Sequence, residues 1–248
     1  MAKMRLDKLL GHMGFGSRTE IKRWAKAGLI MVNGAAVKDS GKQVDPDTDD
    51  VQFDGEKVQY REYVYIMLHK PPGVISATED RRERTVIDLL PDGLLCFEPF
   101  PVGRLDKDTE GLLLLTNDGK LAHELLAPRK HVPKTYFAHV KGDVTEEDVE
   151  AMAIGVTLDD GYVTKPAQLV IKSKDSLPTE EEVISHIELT ITEGKFHQVK
   201  RMFESVGKQV VYLKRLTMGP LQLDSELPIG QWRELREDEL ASLQQATS

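Results

Sequence analysis

The chain has 248 residues, 40% hydrophobic and 30% charged, with a formal net charge of −8 and one cysteine, Cys96. That is ordinary for a globular protein and long enough for a small domain plus a medium one. No apolar run approaches the roughly 20 residues of a membrane helix, a lone cysteine supports neither an internal disulfide nor a cysteine-rich zinc site, and the first residues lack an apolar signal segment, so a cytoplasmic address is expected.

The acidic balance argues against a nucleic-acid partner, but its distribution argues for one. Residues 1–26 carry seven Lys/Arg against two acids, and residues 193–215 carry six against two. Residues 143–160 hold seven acids and no base. A polyanion responds to the field within roughly 8–10 Å, so local patches outweigh the sum. Solvated surface is the ordinary alternative for any one run.

In chain order, 5–13 reads as a helix with Leu6, Leu9, Leu10 and Met13 on one face. After a Gly14-Phe15-Gly16 break, Ser17 and Glu20 form a capping box for a second helix over about 18–27. It turns Ile21, Trp24 and Ala25 inward and stops at Gly28. Asn33-Gly34 and Asp54-Gly55 read as hairpin turns between short strands. Residues 1–58 thus form one compact unit, 59–62 a linker, and 63–248 a second domain. There, strands are expected from Tyr63 to Leu68, Leu112 to Leu115, and over 134–140, 183–192 and 209–216. Helices are expected over Leu121–Leu126, 145–154, His197–Ser205 and Arg236–Gln244. Without strict βαβ alternation, the fold class is α+β with a largely antiparallel sheet.

Chemistry concentrates in Gly103-Arg104-Leu105-Asp106-Lys107-Asp108-Thr109-Glu110-Gly111, a charged loop bracketed by glycines that runs into a buried strand. Loops held by rigid elements commonly carry reactive groups, although a charged surface loop is the plainer reading. The seven histidines show no His-x-x-x-His or His-Glu-x-x-His spacing, so no metal site is expected, and no phosphate-binding Gly-rich loop appears.

Residues 1–58 resemble the RNA-binding module named after small-subunit ribosomal protein four. Arg5-Leu6-Asp7-Lys8-Leu9-Leu10, Ser17-Arg18-Thr19-Glu20-Ile21-Lys22 and Ile30-Met31-Val32-Asn33-Gly34 carry the likeness. It implies a basic helical face of Arg5, Lys8, Arg18, Lys22, Arg23 and Lys26 toward structured RNA. The 103–111 loop, followed by Thr116-Asn117-Asp118-Gly119, resembles the signature of the pseudouridine synthases. Lys70-Pro71-Pro72-Gly73, Lys134-Thr135-Tyr136, Thr164-Lys165-Pro166-Ala167, Glu193 through Phe203, Leu213-x-Arg215 and Gly219-Pro220-Leu221 extend the likeness in order. The blocks around Lys165 and His197 are most similar to the branch acting on small-subunit ribosomal RNA.

The resemblance implies Asp106 as nucleophile or base at the ribose, Tyr136 as the platform under the uracil, and Lys200 as the cation paired with the aspartate. Arg104 would hold the flipped nucleotide. Lys165, His197 and Arg201 would add RNA contacts, His197 also reading as a hydrogen-bonded structural residue. Asp108 and Glu110 read as structural acids. A cation beside a carboxylate favours its ionised form, and an aromatic shelf suits a detached base. The implied protein is a monomer that needs no cofactor and acts on small-subunit (16S) RNA, free or in a partly assembled particle, with uridine 516 as the family target. Two other readings stay open: a catalytically silent RNA-binding or assembly protein, and a glycosidase using paired carboxylates.

Overall fold

The computed structural model describes residues 2–176 and 183–247. The chain divides into two compact units, residues 1–64 with 91–99, and residues 65–90 with 100–248.

The smaller unit runs β1 (Met4–Arg5), α1 (Leu6–His12), α2 (Arg18–Ala27), β2 (Ile30–Val32), β3 (Ala35–Ala36), β4 (Gln43–Val44), β5 (Val51–Phe53) and β6 (Glu56–Lys57), and takes in the short α3 (Asp92–Leu95). The α2 start follows the sequence: the Ser17 hydroxyl accepts from the Glu20 amide at 3.4 Å, and the Glu20 carboxylate accepts from the Ser17 amide at 2.9 Å. Gly28 ends α2 in the left-handed region that a Cβ disfavours. Asn33 (φ 52°) with Gly34 (φ 77°), and Asp54 (φ 51°) with Gly55 (φ 85°), make the paired positive-φ turns that match strand twist. Leu6, Leu9, Leu10, Ile21, Ala25, Ile30 and Val51 form the core. Each fully buried Leu or Ile contributes about 1.5–3 kcal/mol. Trp24 is only partly buried and packs on Phe53 at 5.1 Å. The 91–99 segment has no sequence signal for joining this unit; it docks through Phe97, edge-on to His12 at 5.3 Å.

The larger unit contains β7 (Tyr65–Lys70), β8 (Phe100–Pro101), β9 (Glu110–Thr116), α4 (Gly119–Leu126), β10 (Lys134–Lys141), α5 (Glu146–Ile154), β11 (Gln168–Ser176), β12 (Val183–Ile191), α6 (Gln198–Ser205), β13 (Gln209–Met218), β14 (Leu221–Gln222), β15 (Trp232–Glu234) and α7 (Glu237–Thr247). Its sheet runs β11-β12-β10-β13-β9-β7-β15, with β8 on β9 and β14 on β13. Every pairing is antiparallel except β13 with β9, a short parallel seam of Lys214 opposite Glu110 and Arg215 opposite Gly111. Gly111 makes the seam possible: at φ 111°, a Cβ there would lie 2.2 Å from the Arg215 carbonyl oxygen. Apolar side chains of β7, β9, α4 and α7, among them Met67, Leu112, Leu114, Leu125 and Leu243, pack into one core.

Two strands differ from the sequence expectation. β7 runs Tyr65–Lys70 rather than Tyr63–Leu68, and residues 66–70 are all buried because β9 and β15 flank it in the sheet interior. β11 was not expected. It is an edge strand, and outward Lys172 and Lys174 break its apolar pattern, as edges commonly do.

Candidate active site

The 103–109 loop enters the sheet at the β9–β13 seam, and the segment after β7 clamps it there. Lys70 is fully buried, and its amine donates to the carbonyls of Pro71 (3.0 Å), Lys107 (3.3 Å) and Thr109 (2.9 Å). The Gly73 amide donates to Lys107 O at 2.7 Å. The Ser76 hydroxyl donates to Leu105 O at 2.9 Å and accepts from the Leu105 amide at 3.0 Å. Burial pushes the Lys70 amine down to about 8, against the pull of Asp108, Asp106 and Glu110. In the sequence this Lys stands out only as part of the Lys70-Pro71-Pro72-Gly73 block of the family likeness. The missed signal was a lysine closing an apolar strand, where only an internal partner could justify a charge.

The clamp leaves the Asp106 side chain 29% exposed, with His197 Nε2 3.5 Å from Oδ1 and Lys200 Nζ 3.4 Å from Oδ2. Expected and observed partners differ in one respect. The hydrogen bonds of Lys200 go to Asp108, at 2.7 and 2.8 Å, and hold that carboxyl below its usual range. Asp108 therefore competes for the cation assigned to Asp106. Glu110 accepts from the Tyr212 hydroxyl at 2.8 Å, which ties the start of β9 to β13.

Tyr136 on β10, Ile191 on β12 and Leu213 on β13 wall one side of a pocket that Arg104, Asp106 and His197 close from the other. Tyr136 is 9% exposed. It lies opposite Arg215 in register, beside a β-bulge. Arg215 is 3% exposed; its Nε donates to Leu112 O at 2.8 Å, while its buried Nη2 has no partner among the described residues. Burial, and repulsion from Arg215, push the nearby Lys134 amine down to about 8.

Glu193 braces the loop before α6, a role no sequence pattern announced. It accepts from Tyr162 Oη (2.6 Å), the Lys165 amide (3.0 Å) and Gln198 Nε2 (2.8 Å). Burial raises its carboxyl, but these donors outweigh burial and hold it below its usual range. The Lys165 amine meets His131 Nδ1 at 3.0 Å. Arg201, expected as an RNA contact, makes internal ion pairs in the structure. Its guanidinium is committed to Asp159, and to Asp160 at 2.7 Å, because α6 packs beside the acidic turn.

In the smaller unit Lys8, Arg18, Lys22, Arg23 and Lys26 are exposed as expected. Arg5 is not free: its guanidinium grips Asp7 at 2.6 and 3.0 Å and holds that carboxyl below its usual range.

Residues 64–205 match the family model described as RNA pseudouridylate synthase. The chain belongs to the RNA pseudouridine synthase family. Residues 4–50 match the S4 domain. An uncharacterized RNA pseudouridine synthase of Bacillus subtilis is 56% identical over 96% of this chain and 97% of its own length. The ribosomal large subunit pseudouridine synthase B of the same organism is 40% identical, covering 96% and 95%. The ribosomal small subunit pseudouridine synthase A of Escherichia coli is 37% identical, covering 97% and 100%. A crystal structure of a pseudouridylate synthase superposes with a TM-score of 0.65 at 33% identity, covering 97% of this chain and 99% of that one. The chain is accordingly an isomerase with an S4 domain preceding its catalytic domain.

Proposed function

We propose that this enzyme isomerises one uridine of small-subunit ribosomal RNA, with Asp106 as the catalytic carboxylate, Tyr136 as the base platform and Lys200 as the accompanying cation. The convergence of Asp106 and Tyr136 on one pocket carries the reading. Cleaving the glycosidic bond builds positive character at C1′ and negative charge on the departing uracil. A carboxylate open to the pocket either attacks C1′ or removes the C2′ proton. The uracil then turns over the Tyr136 ring and bonds through C5 to C1′, which releases the carboxylate or returns the C2′ proton. The C5 proton leaves and N1 takes one up, so the product is an isomer. Stacking of this kind is worth roughly 1–3 kcal/mol per base, against a few kcal/mol for eversion. Arg104 faces the same pocket and suits the everted nucleotide's phosphate. The exposed cations of α1 and α2 suit the phosphates of folded RNA.

The likeness around Lys165 and His197 favours the small-subunit target. A large-subunit target is the second reading, favoured by the 40% identity to a large-subunit enzyme against 37% to a small-subunit one. Carbodiimide-stop mapping of both ribosomal RNAs from a deletion strain separates them. The proposal expects one pseudouridine to vanish from small-subunit RNA and to return with the intact gene; loss from large-subunit RNA alone would overturn the target assignment.

A further inference from the structure

Phe196, in the loop before α6, is 68% exposed. An apolar ring of this size is normally buried, and this one is held out on a braced loop. Glu193 anchors the loop start, the Lys195 amide donates to Gln198 Oε1 at 2.8 Å, and Phe196 O accepts from Arg201 Nη1 at 3.3 Å. The Phe196 ring lies on the His197 imidazole, centroids 3.8 Å apart and planes 19° off parallel. His197 holds φ 48°, a left-handed conformation that is uncommon for a non-glycine residue, and caps α6 there. The two rings form a rigid double shelf whose outer face is open.

A second cleft lies on the Phe196 side. Ile75, Ala77, Lys107 and Phe196 line it, and it shares Arg104, Asp106 and His197 with the Tyr136 pocket. The carboxylate therefore stands where two clefts meet, one walled by Tyr136 and the other by Phe196. Arg104 faces both, is exposed, and has no carboxylate partner among the described residues.

We infer that the Phe196–His197 shelf is a second nucleotide subsite, stacking the base next in chain to the everted uridine, with Arg104 on the phosphate between them. This rests on the RNA-modifying reading proposed above. Eversion strips a neighbouring base of its stacking partner; an aromatic face at that position replaces it and holds the strand open for chemistry at Asp106. Stacking is tolerant of base identity, so the subsite contributes affinity rather than sequence choice.

The test combines protein and RNA changes. Wild type, Phe196→Ala and Phe196→Trp are assayed on the RNA segment that wild type modifies, intact or abasic at the 5′ or the 3′ neighbour of the target. On intact RNA, Phe196→Ala is expected to raise KM about 10-fold with kcat nearly unchanged, and Phe196→Trp to restore KM. On RNA abasic at the stacked neighbour, wild type and Phe196→Ala become equal. An unchanged KM for Phe196→Ala, or the same penalty on intact and both abasic RNAs, overturns the subsite while leaving the activity standing. A wild type that converts no uridine in either ribosomal RNA overturns the activity reading, and the subsite with it.

Discussion

The two basic stretches of this chain look alike in sequence and are used in opposite ways. Residues 1–26 and 193–215 carry local excesses of five and four positive charges. In the first stretch Lys8, Arg18, Lys22, Arg23 and Lys26 stay exposed, while Arg5 is spent on a neighbouring acid. In the second stretch four of the six cations are consumed internally: Lys208 pairs with Asp148 at 2.9 Å, Arg201 with Asp159 and Asp160, Lys200 with Asp108 and Asp106, and Arg215 is buried. The acidic run 143–160 supplies three of those partners. A charge run in sequence thus says little until its partners in space are known. The first stretch leaves its charge exposed; the second spends most of its charge on internal partners.

The sharpest way to break this contrast is to remove a cation that organises rather than binds. Lys70→Met keeps the length but strips three carbonyls, that of Thr109 among them buried, of their charged donor. It is expected to cost about 2–4 kcal/mol in urea denaturation and about 100-fold in kcat/KM, since the loop carrying Asp106 loses its clamp. Full activity in this variant would show that the clamp does not position the loop.

Neutralising the two stretches separately gives a smaller but more discriminating effect. Replacing Arg18, Lys22, Arg23 and Lys26 by Gln is expected to flatten the log-affinity against log-salt slope by about 3, each lost phosphate contact counting about 0.7–0.9, with kcat retained. Arg201→Gln with Lys208→Gln is expected to leave that slope unchanged and to lower the melting temperature. A slope change in the second variant would mean that its cations also reach RNA.

The smallest effect is a pH dependence. The Lys134 amine titrates near 8 in the folded chain and at its ordinary value of 10.5 when unfolded. Between those limits the unfolded state holds more protons, so stability from this group rises with pH. Below about 8 both states are charged and its burial penalty is constant. Wild-type stability should therefore gain on that of Lys134→Met between pH 8 and 10.5, as followed by urea denaturation; a constant difference would place the amine in water.

Much of the frame was legible because local signals and tertiary demands agreed. Ser17 with Glu20, and Asn33-Gly34, each fix a helix start or a turn within four residues, and each appears as expected. The convergence of Asp106 and Tyr136 was legible through family likeness, not through physics. What stayed hidden depends on partners far along the chain: β11 needs β12 to be a strand, residues 91–99 need the smaller unit, and Glu193 gathers donors from residues 162, 165 and 198. The family likeness supplied roles for Arg201 and Lys200 but not the pull of Asp159, Asp160 and Asp108, which only the folded chain brings beside them.

The central claim is that the carboxylate of residue 106 does chemistry on a nucleotide that other residues hold. Asp106→Asn preserves shape and removes the charge. Measured side by side on the same ribosomal RNA segment, it should bind within about 3-fold of wild type while pseudouridine formation falls at least about 1,000-fold. Pseudouridine formed at a tenth of the wild-type rate or more would contradict the account.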